Sequence, residues 1–223
     1  RHRGRTGAAP PASAPLTAHM RKTGPVNDFA PTPHGASAAE VLVRPAEPGD
    51  AARVARLLTL RGTSVEESRE QAHRMISFLP VLLLALLPAA EAAGGEGPAG
   101  GRAADLDDDL LAPVALSGAF PLPRRLRASL PEPSDGVEAW MVSGLVIDPV
   151  ARRGGVGRVL LTAVADAVQA LRPAADLYSV VNATNHASIG LHLMVGFKRL
   201  ARLGAFGTVT FEDGQGVLLR RAG

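Results

Sequence analysis

A run of arginine and glycine residues near position 155 has the composition of a phosphate-binding loop. Glycines let backbone N–H groups approach a ligand because no Cβ atom stands in the way, and arginine side chains form charge-assisted hydrogen bonds with phosphate oxygens. The run lacks the Lys-Ser or Lys-Thr pair of a P-loop and the full spacing of a dinucleotide-binding loop. We therefore expect it to bind another kind of polyphosphate. Its residues are Arg152, Arg153, Gly154, Gly155, Val156, Gly157 and Arg158.

The segments on either side of this loop would position it. Residues 137–147 form an apolar run typical of a central strand, and the run ends at Asp148. Gly144 inside it indicates a bulge or a close backbone approach. After the loop, apolar residues recur at helical spacing until Pro173 ends the predicted helix. The N-terminus of that helix would add positive potential to the loop.

The first part of the domain is predicted to be a strand followed by two helices. Residues 41–44 indicate a short strand, and Asp50 can cap the first helix. Ser64 and Glu67 have the spacing of a capping box, which predicts a second helix up to about Ile76.

Residues 78–93 imitate the apolar region of a signal peptide. They are internal, shorter than the roughly 20 residues that span a bilayer, and interrupted by Pro80 and Pro88. We therefore predict a buried strand here and no membrane association.

Further strands are predicted after this apolar region. They lie at residues 114–120 and 177–181, and Asn185 can cap a short helix that ends at Gly196. Near the C-terminus, Asp213-Gly214 predicts a hairpin turn between strands at about 207–212 and 215–219.

Composition excludes several classes of protein. The 223-residue chain has no cysteine, which excludes disulfides, thiolate metal sites and cysteine nucleophiles. A net charge of +3 with dispersed arginines argues against nucleic acid binding. Three consecutive acids at 107–109 lack the alternate spacing of a calcium site, so we expect no metal. Nothing demands an oxidising compartment, and we expect a cytoplasmic protein.

The chain is long enough for one domain and a tail. Residues 1–39 are rich in Pro, Ala and Ser and have no apolar periodicity, so we predict a disordered basic arm. A solvated tail and a polyanion-binding tail are both compatible with its charge. Residues 40–223 are predicted to form the folded domain. A homodimer is left open.

Two motifs together resemble the GCN5-related N-acetyltransferases, or GNAT family. Arg152-x-x-Gly155-x-Gly157 is similar to the family's Gln/Arg-x-x-Gly-x-Gly/Ala signature and lies between a strand ending in Asp-Pro and a long helix. Residues 181–197 look like its Asn-x-x-(Ala/Ser)-x-x-Leu-(Tyr/His)-x-x-x-Gly-Phe segment. The resemblance is firm over residues 137–199, fair over 41–76 and poor over 78–136. It implies an α/β (α+β) fold with a mostly antiparallel mixed sheet, a splayed parallel pair and helices on both faces.

The same resemblance implies a binding site for acetyl-CoA without a metal. The backbone of Leu145, Val146 and Ile147 would bond the pantetheine arm, and the N–H groups of residues 153–158 would hold the pyrophosphate. Asn185 would touch the cofactor's arm or serve only as a helix cap.

The reaction implied is direct transfer of an acetyl group to a primary amine of a small or amino-acid-like substrate. His192 occupies the position where many family members have a Tyr acid, so the resemblance implies that it is the general acid. Glu138, on the central strand, is the candidate base. A packing role for His192 and a surface role for Glu138 stay open. The alternatives in function are a catalytically inactive acyl-CoA-binding protein and a protein Lys or N-terminal acetyltransferase.

Overall fold

A computed structural model describes residues 41–89, 110–131 and 136–223, apart from the side chain of Glu212. The arm predicted for residues 1–39 and the acids at 107–109 lie outside these ranges. The strands are β1 (Leu42–Pro45), β2 (Val81–Pro88), β3 (Leu111–Pro121), β4 (Ala139–Ile147), β5 (Asp176–Asn182), β6 (Lys198–Leu203), β7 (Ala205–Phe206), β8 (Val209–Thr210) and β9 (Gly216–Arg221). The helices are α1 (Ala51–Thr59), α2 (Val65–Phe78), α3 (Arg124–Arg127), α4 (Val156–Leu171) and α5 (His186–Met194).

Seven strands form the main sheet in the order β1-β2-β3-β4-β5-β9-β6. Every neighbouring pair is antiparallel except β4 and β5, which run parallel. These two pair only through Ala139, Trp140 and Met141 of β4, although β4 continues to Ile147. The strands therefore separate toward their C-terminal ends, and the predicted mixed sheet with a splayed parallel pair is confirmed.

Helices cover both faces of the sheet, and β2 shows why. Leu82, Leu84 and Leu86 pack with α1 and α2 on one face, whereas Leu83 and Ala85 join the cluster of α4 on the other. A strand buried on both faces needs a continuous apolar sequence rather than an alternating one. This burial explains the signal-like run at 78–93, and the predicted strand there is confirmed. No helix in the described ranges is long and apolar enough to cross a membrane.

The capping box of α2 forms as predicted. The Ser64 hydroxyl accepts a hydrogen bond from the Glu67 N–H at 3.2 Å, and the Glu67 carboxylate accepts one from the Ser64 N–H at 3.1 Å. Asp50, in contrast, does not cap α1 through its side chain. Its buried carboxylate accepts two bonds from Arg44, at 2.6 and 3.0 Å, and so links the end of β1 to the start of α1.

The predicted C-terminal hairpin is wrong. Residues 216–221 form β9, which lies between β5 and β6, while the short β7 and β8 pair only with each other. Strand β6 was not predicted because its sequence, KRLARL, carries no apolar alternation, and none of its residues is fully buried. Insertion between two partners gives β9 more hydrogen bonds and burial than a local hairpin would, so the tertiary contacts determine the pairing.

Candidate functional site

Asp148 fixes the end of β4. Its N–H donates to the Val114 carbonyl at 2.7 Å, and its carboxylate accepts from the Val150 N–H at 3.2 Å. The same carboxylate pairs with Arg56 at 2.9 Å. A 3-10 turn (Pro149–Ala151) follows and leads into the predicted phosphate loop. The direction in which the chain leaves the strand is therefore set by three separate contacts.

The loop backbone turns sharply before α4 begins. Arg153 has a φ of 69° and Gly155 a φ of 80°, both in the left-handed region. A non-glycine residue pays about 1–2 kcal/mol for that conformation. Among the described residues, no acceptor is recorded for the backbone N–H groups from Arg153 to Gly157. Such a row of N–H groups at a helix N-terminus suits an anionic ligand.

The loop has an exposed rim and a buried base. Arg152, Arg153 and Arg158 are all exposed, whereas Val156 and Gly157 are buried. A Cβ atom on Gly157 would lie 2.5 Å from Ile147 Cδ1 and 3.0 Å from Leu191 Cδ2. The glycine at this position therefore allows the end of β4, the start of α4 and the helix α5 to meet.

Strand β4 has a bulge where the sequence predicted one. Its register against β3 shifts between Ser117 and Ala119, and Gly144 has a φ of 120°. The Ser117 hydroxyl donates to the Gly144 carbonyl at 2.9 Å, which holds the bulge in place. Beyond Met141, none of the described strands pairs with the side of β4 that faces β5. The predicted pantetheine-binding residues Leu145, Val146 and Ile147 lie on that separated part.

Asn185 is the N-cap of α5. Its side-chain oxygen accepts a hydrogen bond from the Ser188 N–H at 3.0 Å, and the residue is exposed. The helix cap is therefore observed, while the predicted contact with the cofactor's arm stays a prediction.

His192 lies in the core, with 2% of its surface exposed. Its Nδ1 atom is 2.7 Å from the Ser188 carbonyl oxygen. A carbonyl only accepts, so Nδ1 carries the proton and Nε2 is unprotonated in the neutral ring. Nε2 is buried and has no partner among the described residues, and the ring packs edge-on against Phe197 at 5.0 Å.

Burial also lowers the pKa of His192, against the weaker opposing effect of the Ser188 hydrogen bond. The ring is therefore neutral near pH 7, and Nε2 is a proton acceptor rather than a donor. A general acid role for His192 therefore requires Nε2 to take up a proton first, and that role stays a prediction.

Glu138 does not lie with His192 in a shared catalytic group. It directly precedes β4, at the end where β4 and β5 are still paired, and about 20 Å of extended strand separates it from the bulge at Gly144. Its carboxylate pairs with Arg172 at 3.2 Å and accepts from the Trp140 indole N–H at 3.0 Å. These contacts favour a structural role, and the position argues against a general base.

Arg61 was not identified from the sequence. It follows α1, and its guanidinium group lies over the Gly144 bulge, with Nη1 3.0 Å from the position of a Cβ atom on that glycine. No local pattern marks an arginine in a helix-to-helix turn as part of a site. Only the fold brings it to β4. Within the part of the chain that the structure covers, no three His, Asp or Glu side chains converge to hold a metal.

Comparison with known proteins agrees with this geometry. Residues 98–197 match the family model described as Acetyltransferase (GNAT) family, while no curated protein sequence matches the chain significantly. A phosphinothricin acetyltransferase of the GNAT superfamily from Sinorhizobium meliloti, in complex with acetyl-CoA, is similar with a TM-score of 0.55 and 16% identity, over 82% of this chain and 88% of that one. NAA60 from Arabidopsis thaliana, in complex with acetyl-CoA, is similar with a TM-score of 0.57 and 14% identity, over 82% of this chain and 98% of that one.

A third structure, the acetyltransferase yncA from Salmonella typhimurium with its cofactor acetyl-CoA, gives a TM-score of 0.52 at 13% identity, over 82% and 94% of the two chains. At these identities the structures establish a shared fold. The family match covers β3, β4, the phosphate loop, α4, β5 and α5, the elements that build the candidate site. Residues 98–197 therefore match the GNAT acetyltransferase family over the elements of the candidate site, and the chain has the fold of GNAT acetyltransferases; together these findings support an acyltransferase.

Proposed function

We propose that the protein is an N-acetyltransferase that transfers an acetyl group from acetyl-CoA directly to a primary amine of a small or amino-acid-like substrate. Residues 40–223 form the catalytic domain in this proposal. The observation that carries it is the separation of β4 from β5 beside a row of N–H groups, from Arg153 to Gly157, that have no recorded partner in the described chain. The two features together fit a ligand with an extended amide arm and a pyrophosphate.

The residues present match the parts of acetyl-CoA. An extended amide chain can pair with an exposed strand edge as an extra strand would, and residues 145–147 offer that edge. The N–H groups of the loop and the guanidinium groups of Arg152, Arg153 and Arg158 would hold the pyrophosphate. Asn185 lies at the adjoining helix start, where its amide N–H₂ would touch the arm. When bound, acetyl-CoA supplies an activated acetyl thioester.

His192 handles the proton in this proposal. Its unprotonated Nε2 accepts a proton from the attacking amine, and the imidazolium then returns that proton to the departing thiolate. The lowered pKa of His192 keeps Nε2 free to accept at neutral pH and makes the imidazolium a ready donor. The backbone N–H groups near the β4 bulge would polarise the acetyl carbonyl. Glu138 has no part in this route.

Cofactor binding is tested first, by thermal denaturation with acetyl-CoA or CoA. A ligand that binds only the folded state at 100 times its Kd adds about 2.7 kcal/mol, which corresponds to a rise in Tm of roughly 5–11 °C for a domain of this size. The double substitution Arg152→Ala/Arg153→Ala should reduce that rise. Arg74→Ala on the exposed face of α2 is the control, and no rise with the unmodified protein would overturn the proposal.

Catalysis is tested by thiol release from acetyl-CoA across a panel of amines. His192→Phe should abolish turnover while leaving the acetyl-CoA-induced rise in Tm unchanged, because His192 is not among the residues proposed to hold the cofactor. His186→Phe is the matched control, since His186 is exposed in the same helix. Full activity in His192→Phe would remove this residue from the mechanism.

A catalytically inactive acyl-CoA-binding protein is the second candidate. The observation that favours it is the burial of Nε2 of His192 against Phe197, as in an ordinary core histidine. Stabilisation by CoA without thiol release from any amine would support it. Acetylation of a protein amine is a further candidate, because the fold is shared with the NatC complex, whose structure was solved with Gag peptide and CoA bound. Peptides with a free N-terminus therefore belong in the panel. We also propose a cytoplasmic location, tested by cell fractionation, and leave a homodimer to be decided by light scattering.

A further inference from the structure

Arg61 is held against the strand that forms the candidate site. Its N–H donates to the Leu58 carbonyl at 3.0 Å, and the next residue, Gly62, turns the chain with a φ of 83°. The guanidinium group then lies over Gly144, with Nη1, Nη2 and Cζ at 3.0, 3.4 and 3.5 Å from the position of a Cβ atom there. Because Gly144 has no side chain, a cation can rest on the β4 backbone at its bulge, within the stretch where β4 has left β5.

The charge of Arg61 has no partner among the described residues. Two carboxylates that lie beside α1 are already engaged, Asp50 by Arg44 and Asp148 by Arg56. Arg61 is partly buried, and this burial lowers its pKa with no opposing effect from a carboxylate among the described residues. A cation withdrawn from water in this way is costly unless an anion pairs with it.

A second polar group lies on the same face. Ser143 Oγ is buried without a hydrogen-bond partner in the described ranges. The Ser143 Oγ atom lies 3.1 Å from the position of a Cβ atom on Gly118. The Cδ1 atom of Leu82 lies at the same distance from that position, and Leu82 belongs to the cluster under α1 and α2. The hydroxyl and the guanidinium group therefore flank the bulge from the same side of the sheet.

We propose that Arg61 and Ser143 form a carboxylate-binding subsite, so that the acceptor is an amino acid or another amine that carries a carboxylate. The guanidinium group can bind both carboxylate oxygens through its planar fork, and the Ser143 hydroxyl can donate a further bond. An acceptor with only positive charges would instead be repelled by Arg61. This inference rests on the proposed function, since it names the acceptor of the same site.

The test compares each L-amino acid with its carboxamide in the thiol-release assay. We expect kcat/KM for the acid relative to the amide to fall about 10- to 100-fold in Arg61→Gln, as for loss of a hydrogen bond to a charged group. Using the ratio cancels differences in amine reactivity between acid and amide. Arg69→Gln is the matched control, because Arg69 is exposed on α2. An unchanged ratio in Arg61→Gln, or a preference of the unmodified protein for amides, would overturn the proposal.

Two further measurements separate this inference from the proposed function. Without ligand, Arg61→Gln should leave Tm unchanged or raise it, because the substitution removes an unpaired charge. A clear fall in Tm would show that Arg61 already makes a stabilising interaction within the chain, and it would count against the subsite. With CoA bound, L-amino acids should raise the Tm of the unmodified protein but not of Arg61→Gln. If that difference is seen without thiol release, the subsite stands and acetyl transfer fails. If amines are acetylated but carboxylates give no advantage, transfer stands and the subsite fails.

Discussion

The buried histidine of α5 makes the chain sensitive to mild acid. His192 is neutral in the folded protein because burial lowers its pKa, but in the unfolded chain it titrates near pH 6.5. Above that pH neither state binds a proton, so stability is unaffected. Below pH 6.5 the unfolded chain binds a proton at His192 while the folded protein does not. The free energy of unfolding therefore decreases as the pH falls from 6.5 toward the pKa of His192 in the folded protein.

The size of the effect follows from proton linkage. One proton taken up only on unfolding lowers the free energy of unfolding by about 1.4 kcal/mol per pH unit. For a domain of 150–250 residues, about 1 kcal/mol shifts Tm by roughly 2–4 °C. His192 alone should therefore lower Tm by about 3–5 °C for each pH unit below 6.5, until the ring is protonated in the folded state as well.

Thermal melts of the unmodified protein and of His192→Phe between pH 7.5 and 5.0 would measure this. The difference in Tm between the two proteins should change with pH below 6.5 and stay constant above it. His186→Phe, which replaces an exposed histidine of the same helix, is the control for the loss of a histidine. If His192→Phe runs parallel to the unmodified protein throughout, His192 does not have a lowered pKa, and the argument that burial suppresses its protonation is refuted.

Two substitutions in the framework give further predictions. Gly155→Ala forces a side chain into a φ of 80° and should lower the free energy of unfolding by about 1–2 kcal/mol. Gly154→Ala is the control, because its Cβ would be 3.8 Å from the nearest atom, and it should change stability by less than about 0.5 kcal/mol. Equal losses of stability for the two variants in urea unfolding would contradict the strain argument. Asp50→Asn should cost about 1.5–3 kcal/mol, against little change for the exposed Asp166→Asn. Burial tends to raise the pKa of Asp50, but the hydrogen bonds from Arg44 and the Glu47 N–H outweigh this effect and leave the pKa below 3.8. The difference in stability between Asp50→Asn and the unmodified protein should therefore disappear only below that pH.

Local patterns were sufficient for most of the elements. The Ser64 capping box, the doubly buried β2 and the helix after Gly155 depend on residues within a few positions of one another, and side-chain spacing encodes them directly. The phosphate loop and the bulge at Gly144 were predicted for the same reason, because glycine at those positions permits backbone angles that other residues avoid. The resemblance to the GNAT family also came from two contiguous motifs.

Pairing and proximity depended on the tertiary structure. The hairpin predicted around Asp213 was lost to β9, which satisfies more hydrogen bonds between β5 and β6 than beside its sequence neighbour. Glu138 was a plausible base by type, yet strand direction places it at the wrong end of β4. The tautomer of His192 was fixed by one carbonyl in the preceding turn.

The sequence by itself thus determined the glycine-rich turn before α4, since a run of glycine and arginine before a helix carries its own geometry and charge; phosphate binding by that turn stays a prediction. Only the tertiary structure decided which side chains lie beside the bulge at Gly144. Arg61 reaches Gly144 because α1 packs on the sheet beside β4, and no pattern in one segment can specify a contact made by folding two distant segments together.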